Sequence, residues 1–341
     1  AEPSQERITV LLRKTGLAKT MACLINEGAK DLLASYETAS DAARAAAAIP
    51  LVTVLTDKGQ FTRALSTVEN ALTELEEPNA YDFQSDVYQR NALELMSVPP
   101  FGFSPPITEK VLLITYCING ADFNPLGDYL SGVRAYTKGD PDEFNDVSNQ
   151  NGFSGDGFSH RITLGAKFLL NADFELHYNE DSSSAGFYAK SALRIFEGLK
   201  LPYYVAECRL RLAEAATGRG DCLTARNELD AGVVRKKKRV SYPYLANYNR
   251  VFGSILVLEG SVERGSRFIN SAAILYKSYG MVIQEALCYA ALAEVSDKCK
   301  ASEYYSKAIW LFENGGGHGW AGKYANLKKE KRLSGRSRQV L

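Results

Sequence analysis

The chain has 341 residues, 45% of them hydrophobic, with Lys plus Arg equal to Asp plus Glu and a formal net charge of zero. That content is enough for a sizeable core, and the balanced charge gives no bulk attraction to nucleic acid or an anionic membrane. The longest apolar runs fall well short of a membrane span, and the polar opening AEPSQERITV does not read as a signal peptide.

From Gln5 to about Glu77 the pattern is helical. LINEGAKDLLASY places apolar residues at three- and four-residue spacing, and DAARAAAAIPLVTVLTDKG carries Pro50 early in a helix or at a kink. In GQFTRALSTVENALTELEEPNA, Gly59, Ala64, Val68, Ala71 and Leu72 form one stripe, which Pro78 ends. The character changes at Pro99. PPFGFSPP is rigid and non-helical, EKVLLITYCI suits helix or strand, and LGDYLSGVRAYTKG suits a short helix. KGDPDEFNDVSNQNGFSGDGF is rich in Gly, Asp, Asn and Ser with few apolar anchors, and reads as a long exposed loop. Helices resume at HRITLGAKFLLNADFELHY and continue beyond the polar SSS turn.

The C-terminal third repeats with a period of 40 residues. Ala206, Ala246 and Ala286 stand in register, as do Leu212, Phe252 and Leu292, then Ala213, Gly253 and Ala293. Gly220 matches Gly260, and Leu229, Ile269 and Ile309 form a further column. A fixed period of this size predicts stacked helical pairs, whose leftover concave surface is a binding surface. Small residues in one column let helices approach closely; bulky residues in the next fill the gaps. Gly315, Gly316 and Gly317 end the array, because three glycines hold a helix poorly. The basic tail after them is expected to be helical at first and then loose, with Trp320 folding back as a cap over the last repeat.

Gly59, Ala64, Val68, Ala71 and Pro78 resemble the second helix of a tetratricopeptide (TPR) repeat, with Pro78 about two residues later than the family places it. Leu212, Ala213, Gly220, Ala225 and Leu229 are similar to the same pattern, and so are Phe252, Gly253, Gly260, Gly265, Ile269 and Ala272. A copy around Leu292, Ala293, Ala301, Tyr305 and Ala308 needs a shortened turn, and Ala185, Ala189, Ala192 and Leu193 look like another second helix. The resemblance implies an all-α fold: a TPR-like antiparallel helical-pair solenoid with a loop-rich central insertion. The expected division is N-terminal helical repeats over 1–98, the insertion over 99–159, repeats of about 40 residues over 160–314, and a Gly-rich end with a basic tail over 315–341.

By the same register, the exposed face of each first helix carries Glu207, Arg211, Glu214, Asn247, Arg250, Ser254 and Glu294 as a partner-binding groove. The Lys/Asn carboxylate clamp of many peptide-binding TPR proteins is missing from these positions. Arg211, Asn247 and Arg250 suit an acidic or polar partner. A second candidate is the basic loop Arg235, Lys236, Lys237, Lys238 and Arg239, five cations that repel one another and must be solvated. With the basic tail it suits a nuclear or nucleic-acid role, although no interleaved aromatic ladder accompanies it.

His160, His177 and His318 pair with no metal-ligand spacing, and the carboxylates from Asp140 to Asp146 do not fit a calcium loop. No nucleophile elbow occurs. Of six cysteines, Cys208 and Cys288 share a repeat position and read as buried reduced thiols, which favours an intracellular setting, cytoplasmic or nuclear. No metal, cofactor or catalytic residue is expected. The expected function is a protein-interaction scaffold, adaptor or regulatory subunit in a larger complex, holding a peptide or partner helix, with no membrane contact. The alternatives are a nucleic-acid-associated subunit, and an enzyme or small-ligand sensor with its site between insertion and repeats.

Overall fold

The computed structural model describes residues 5–21, 25–39, 41–58, 60–75, 125–149, 158–232, 242–278 and 280–337. Among them every regular element is helical. Four helices form the N-terminal region: α1 (Gln5–Met21), α2 (Ile25–Thr38), α3 (Asp41–Asp57) and α4 (Phe61–Leu75). Each packs mainly on the next. In α4 the expected stripe is internal, with Ala64, Val68 and Ala71 fully buried. Pro50 lies inside α3, between buried Ile49 and Leu51.

The second set begins with α5 (Pro125–Lys138) and α6 (Pro141–Asn149). Here the expectation of an exposed loop fails. Asp140 accepts from the backbone N–H of Asp142 and of Glu143, at 3.1 and 3.0 Å, and so caps α6. Pro141 fits the first helical position, where its missing N–H is no loss, and Asp142 and Glu143 suit the positive end of the helix. One apolar anchor suffices: Phe144 is buried and stacks on Phe174 at 3.9 Å. The central region is therefore helical over its described part. PPFGFSPP and EKVLLITYCI lie outside the described residues, as do Gly59 and Pro78.

From α7 (Phe158–Phe174) the chain runs as pairs. A π-helical turn, Glu175–Asn179, extends α7. Then come α8 (Ser182–Gly198), α9 (Pro202–Gly218), α10 (Cys222–Gly232), α11 (Tyr242–Leu258), α12 (Val262–Ser278), α13 (Val282–Val295) and α14 (Lys298–Asn314). Consecutive helices pack against each other throughout, and α9 also meets α11. Short polar starts set the boundaries. Asp181 and Asp297 accept backbone N–H groups in the first turns of α8 and α14, and Asp221 does so for α10. The small-residue column has a direct use at Gly253. A Cβ there would lie 2.7 Å from the carbonyl oxygen of Gly265, so α11 and α12 touch backbone to backbone. Ala213 and Ala293 are buried at the matching positions. Cys208 and Cys288 are buried free thiols.

The last helix, α15 (His318–Ser337), corrects the expectation of a partly loose tail. It packs on α14, and its first turn reaches back to α5. Trp320 is fully buried, against Phe312 of α14 and Tyr136 of α5.

Candidate functional site

The expected groove residues lie on α9, α11 and α13, but most are not exposed. Glu207, Arg211 and Arg250 are 3%, 6% and 8% exposed. Charges that deep persist only when paired, and each of these is. Arg211 grips Asp173 of α7 in a two-pronged bond, Nε to Oδ1 and Nη2 to Oδ2, both at 2.9 Å. Its Nη1 also donates to Glu207 one turn back. Arg250 does the same one pair further on. Both its terminal nitrogens bond Glu214 of α9, Nη2 to Oε2 at 2.8 Å, and Nη2 also reaches Asn247 Oδ1 at 2.9 Å.

The two carboxylates of α9 respond in opposite senses. Burial pushes Glu207 above the usual carboxylate range, and Arg211 only partly offsets it. Burial acts on Glu214 too, but Arg250 and His177 together outweigh it and hold its carboxyl well below that range. Both carboxylates bond groups inside the chain, Glu207 with Arg211 and Glu214 with Arg250 and His177.

His177 joins this wall from the π-helical turn. Its Nε2 lies 3.1 Å from Glu214 Oε1 and its Nδ1 lies 2.9 Å from the Tyr136 hydroxyl. Its two ring nitrogens thus link the carboxylate of α9 to the phenol of α5. Burial raises the Tyr136 hydroxyl well above its ordinary range, so it stays a donor. Tyr276 of α12 is buried, and burial of Cys288 on α13 pushes its thiol up to about 12. A continuous polar seam thus runs Tyr136–His177–Glu214–Arg250–Asn247, flanked by Asp173–Arg211–Glu207.

The remaining candidates sit at its margin. Ser254 is half-buried and donates to the carbonyl of Arg250 at 3.1 Å. Glu294 is exposed and accepts from the Tyr305 hydroxyl. Arg235, Lys236, Lys237, Lys238 and Arg239 lie outside the described residues. Sequence reasoning missed Tyr136, Asp173 and Lys323, whose Nζ donates to the His177 carbonyl at 3.1 Å, and gave His177 no partner. Their contacts span 37 to 146 residues, so no local spacing signals them. Among the described residues no group of three His, Cys, Asp or Glu side chains is placed to hold a metal, and no helix is long and apolar enough to cross a membrane. No family model matches the chain, and no curated protein matches it.

Proposed function

We propose that the chain is a non-catalytic interaction scaffold, adaptor or regulatory subunit of TPR-like architecture, which holds a peptide or a partner helix along its inner wall. One observation carries this reading: the wall is braced from helix to helix by paired charges. Arg211 ties α9 to α7, and Arg250 ties α11 to α9. Such braces fix the geometry of an array in advance, which lowers the cost of binding. They also leave Asn247, Ser254 and Glu294, rather than the arginines, as the positions a partner would touch. Nothing in this wall requires turnover of a substrate: its perturbed groups satisfy one another.

Arg250→Glu is a poor probe of docking, because it would set a second buried carboxylate against Glu214. A photo-cross-linking residue at Ser254 or Glu294 is cleaner. Capture of one partner from both sites, and not from exposed Arg267 on α12, is the expected result. Capture from Arg267 alone would move docking to the outer face and end the inner-wall reading.

A second reading has one observation in its favour. Helix α15 continues through Lys328, Lys329, Lys331, Arg332 and Arg336 to Ser337. With Arg235–Arg239 it would give two basic segments for an anionic polymer. Binding to generic DNA or RNA that weakens steeply with salt, and is lost when both segments are neutralised, would select it.

A further inference from the structure

From α7 to α15 each helix packs on the next, α15 returns to α5, and α5 packs on α7. The contacts therefore close a circuit. An open repeat array has no such return, since each unit touches only its neighbours, and its ends fray first. Here the return is closely built. The indole N–H of Trp320 donates to the Tyr136 carbonyl at 2.7 Å, and the ring is enclosed by Tyr136, Tyr178 and Phe312. Lys323 Nζ donates to the carbonyls of His177 and Tyr178, at 3.1 and 2.6 Å, and pairs with Glu180 at 2.8 Å. Tyr324 stacks on Phe312 at 5.3 Å. One helix thus holds α5, the end of α7 and α14 together. The turn into it is fixed as well. The Gly315 N–H donates to the Leu311 carbonyl at 2.9 Å, and the Gly317 N–H to the Phe312 carbonyl at 2.8 Å. A Cβ on Gly317 would lie 2.9 Å from Ile283 Cδ1 of α13, and one on Gly319 would run into the carbonyl of Gly139.

We propose that α15 is a permanent clasp that binds α5 and α7–α15 into one cooperative unit, which opens as a whole or not at all. Three observations carry it: the closed circuit, the full burial of Trp320 at the point of closure, and the continuity of that point with the polar seam. The side chain of Tyr136 meets His177, which meets Glu214, while the Tyr136 carbonyl receives Trp320. The physical reason is entropic. When one contact of an open array breaks, everything beyond it is released. When one contact of a closed circuit breaks, both sides stay tethered through the other route, so the opened state gains less freedom. Local opening is then costly everywhere in the circuit, α5 and α14 included. The inference stands apart from the scaffold reading, but a partner of the inner wall would meet a surface already in place.

The test is native-state amide hydrogen exchange on the full chain, read by mass spectrometry in rising urea over α5, α9, α11 and α14. The slowest amides of all four helices should converge on one opening equilibrium. Trp320→Ala should then speed exchange in all four alike, by about a hundredfold or more. Faster exchange confined to α14, α15 and α5, with α9 and α11 unmoved, would overturn the proposal, because the helices would then open piecewise as an open array does. Four separate opening equilibria in the parent chain would overturn it as well. Should Trp320→Ala fail to fold, Trp320→Phe replaces it. That change keeps an aromatic ring and removes the bond to the Tyr136 carbonyl, so a uniform acceleration of about tenfold is expected. Acceleration limited to α15 and its immediate contacts would sink the clasp. Capture at Ser254 and Glu294 decides the scaffold reading separately.

Discussion

A buried pair on α9 and an exposed pair on α12 use the same four-residue motif with opposite consequences. Glu207 and Arg211 on α9 stand one helical turn apart, as do Glu263 and Arg267 on α12, and both pairs make contact. The side chains of the first are 4% and 7% exposed; those of the second are 84% and 76% exposed. Water screens the exposed pair and would solvate either partner left alone. It reaches the buried pair hardly at all, so each buried charge depends on its partners for solvation. The difference lies wholly in what surrounds the helix, and it predicts where substitution hurts.

The largest effect is expected at Arg250. Arg250→Ala would strand the Glu214 carboxylate with His177 as its remaining bonded partner among the described residues, at a cost of about 3–5 kcal/mol. Chemical denaturation should show it as a lower midpoint with an unchanged slope. Replacing both members by apolar residues, Arg250→Met with Glu214→Leu, should recover most of that loss, since the penalty is an uncompensated charge rather than a missing attraction. If the double variant is as unstable as the single one, the wall is held by the ion pair itself and the contrast with the exposed pair needs another cause.

Acid should separate the two carboxylates of α9. The folded-state pKa of Glu214 is depressed, so its contribution is present above its unfolded value of about 4.3 and is lost as pH falls through the folded one. Glu207 is shifted up, so its contribution is fully present below about 4.3 and is lost as pH rises through the folded value. Thermal midpoints between neutral pH and pH of about 3 should therefore change slope in opposite senses for Glu214→Gln and Glu207→Gln. Removing Glu214 should flatten the acid loss, and removing Glu207 should steepen it. Matching slopes would mean that the two sites share one environment.

The all-helical character and the packing of each helix on the next were legible before any coordinates, in apolar and small residues at helical spacing. Gly253 and its neighbours Ala213 and Ala293 had to be small wherever helices cross, and Gly265 meets Gly253 there. Helix α6 was not legible: its polarity outweighed the cap formed by Asp140 and Pro141, and Phe144 gave no hint of Phe174 thirty residues on. The burial of the candidate residues was not legible. Arg211 and Arg250 were expected on an exposed helix face, because Arg and Glu are read as solvated unless a partner is visible. The partners, Asp173 for Arg211 and Glu214 for Arg250, lie 38 and 36 residues away. Burial of a charge is a tertiary fact, decided by the neighbouring pair.

The smallest expected effect tests the comparison from its other side. Glu263→Ala removes the outer partner of Arg267 in a first turn that faces solvent. Arg267 then regains water as readily as it loses the carboxylate, and the long side chains recover rotamer freedom. The cost should be about 0.5 kcal/mol or less, and should shrink further in molar salt. A free-energy difference from urea titrations that equals the Arg250→Ala loss would mean that burial does not govern these pairs. The local sequence motif would then outrank the surroundings, and the inner wall would lose its claim to be a braced frame.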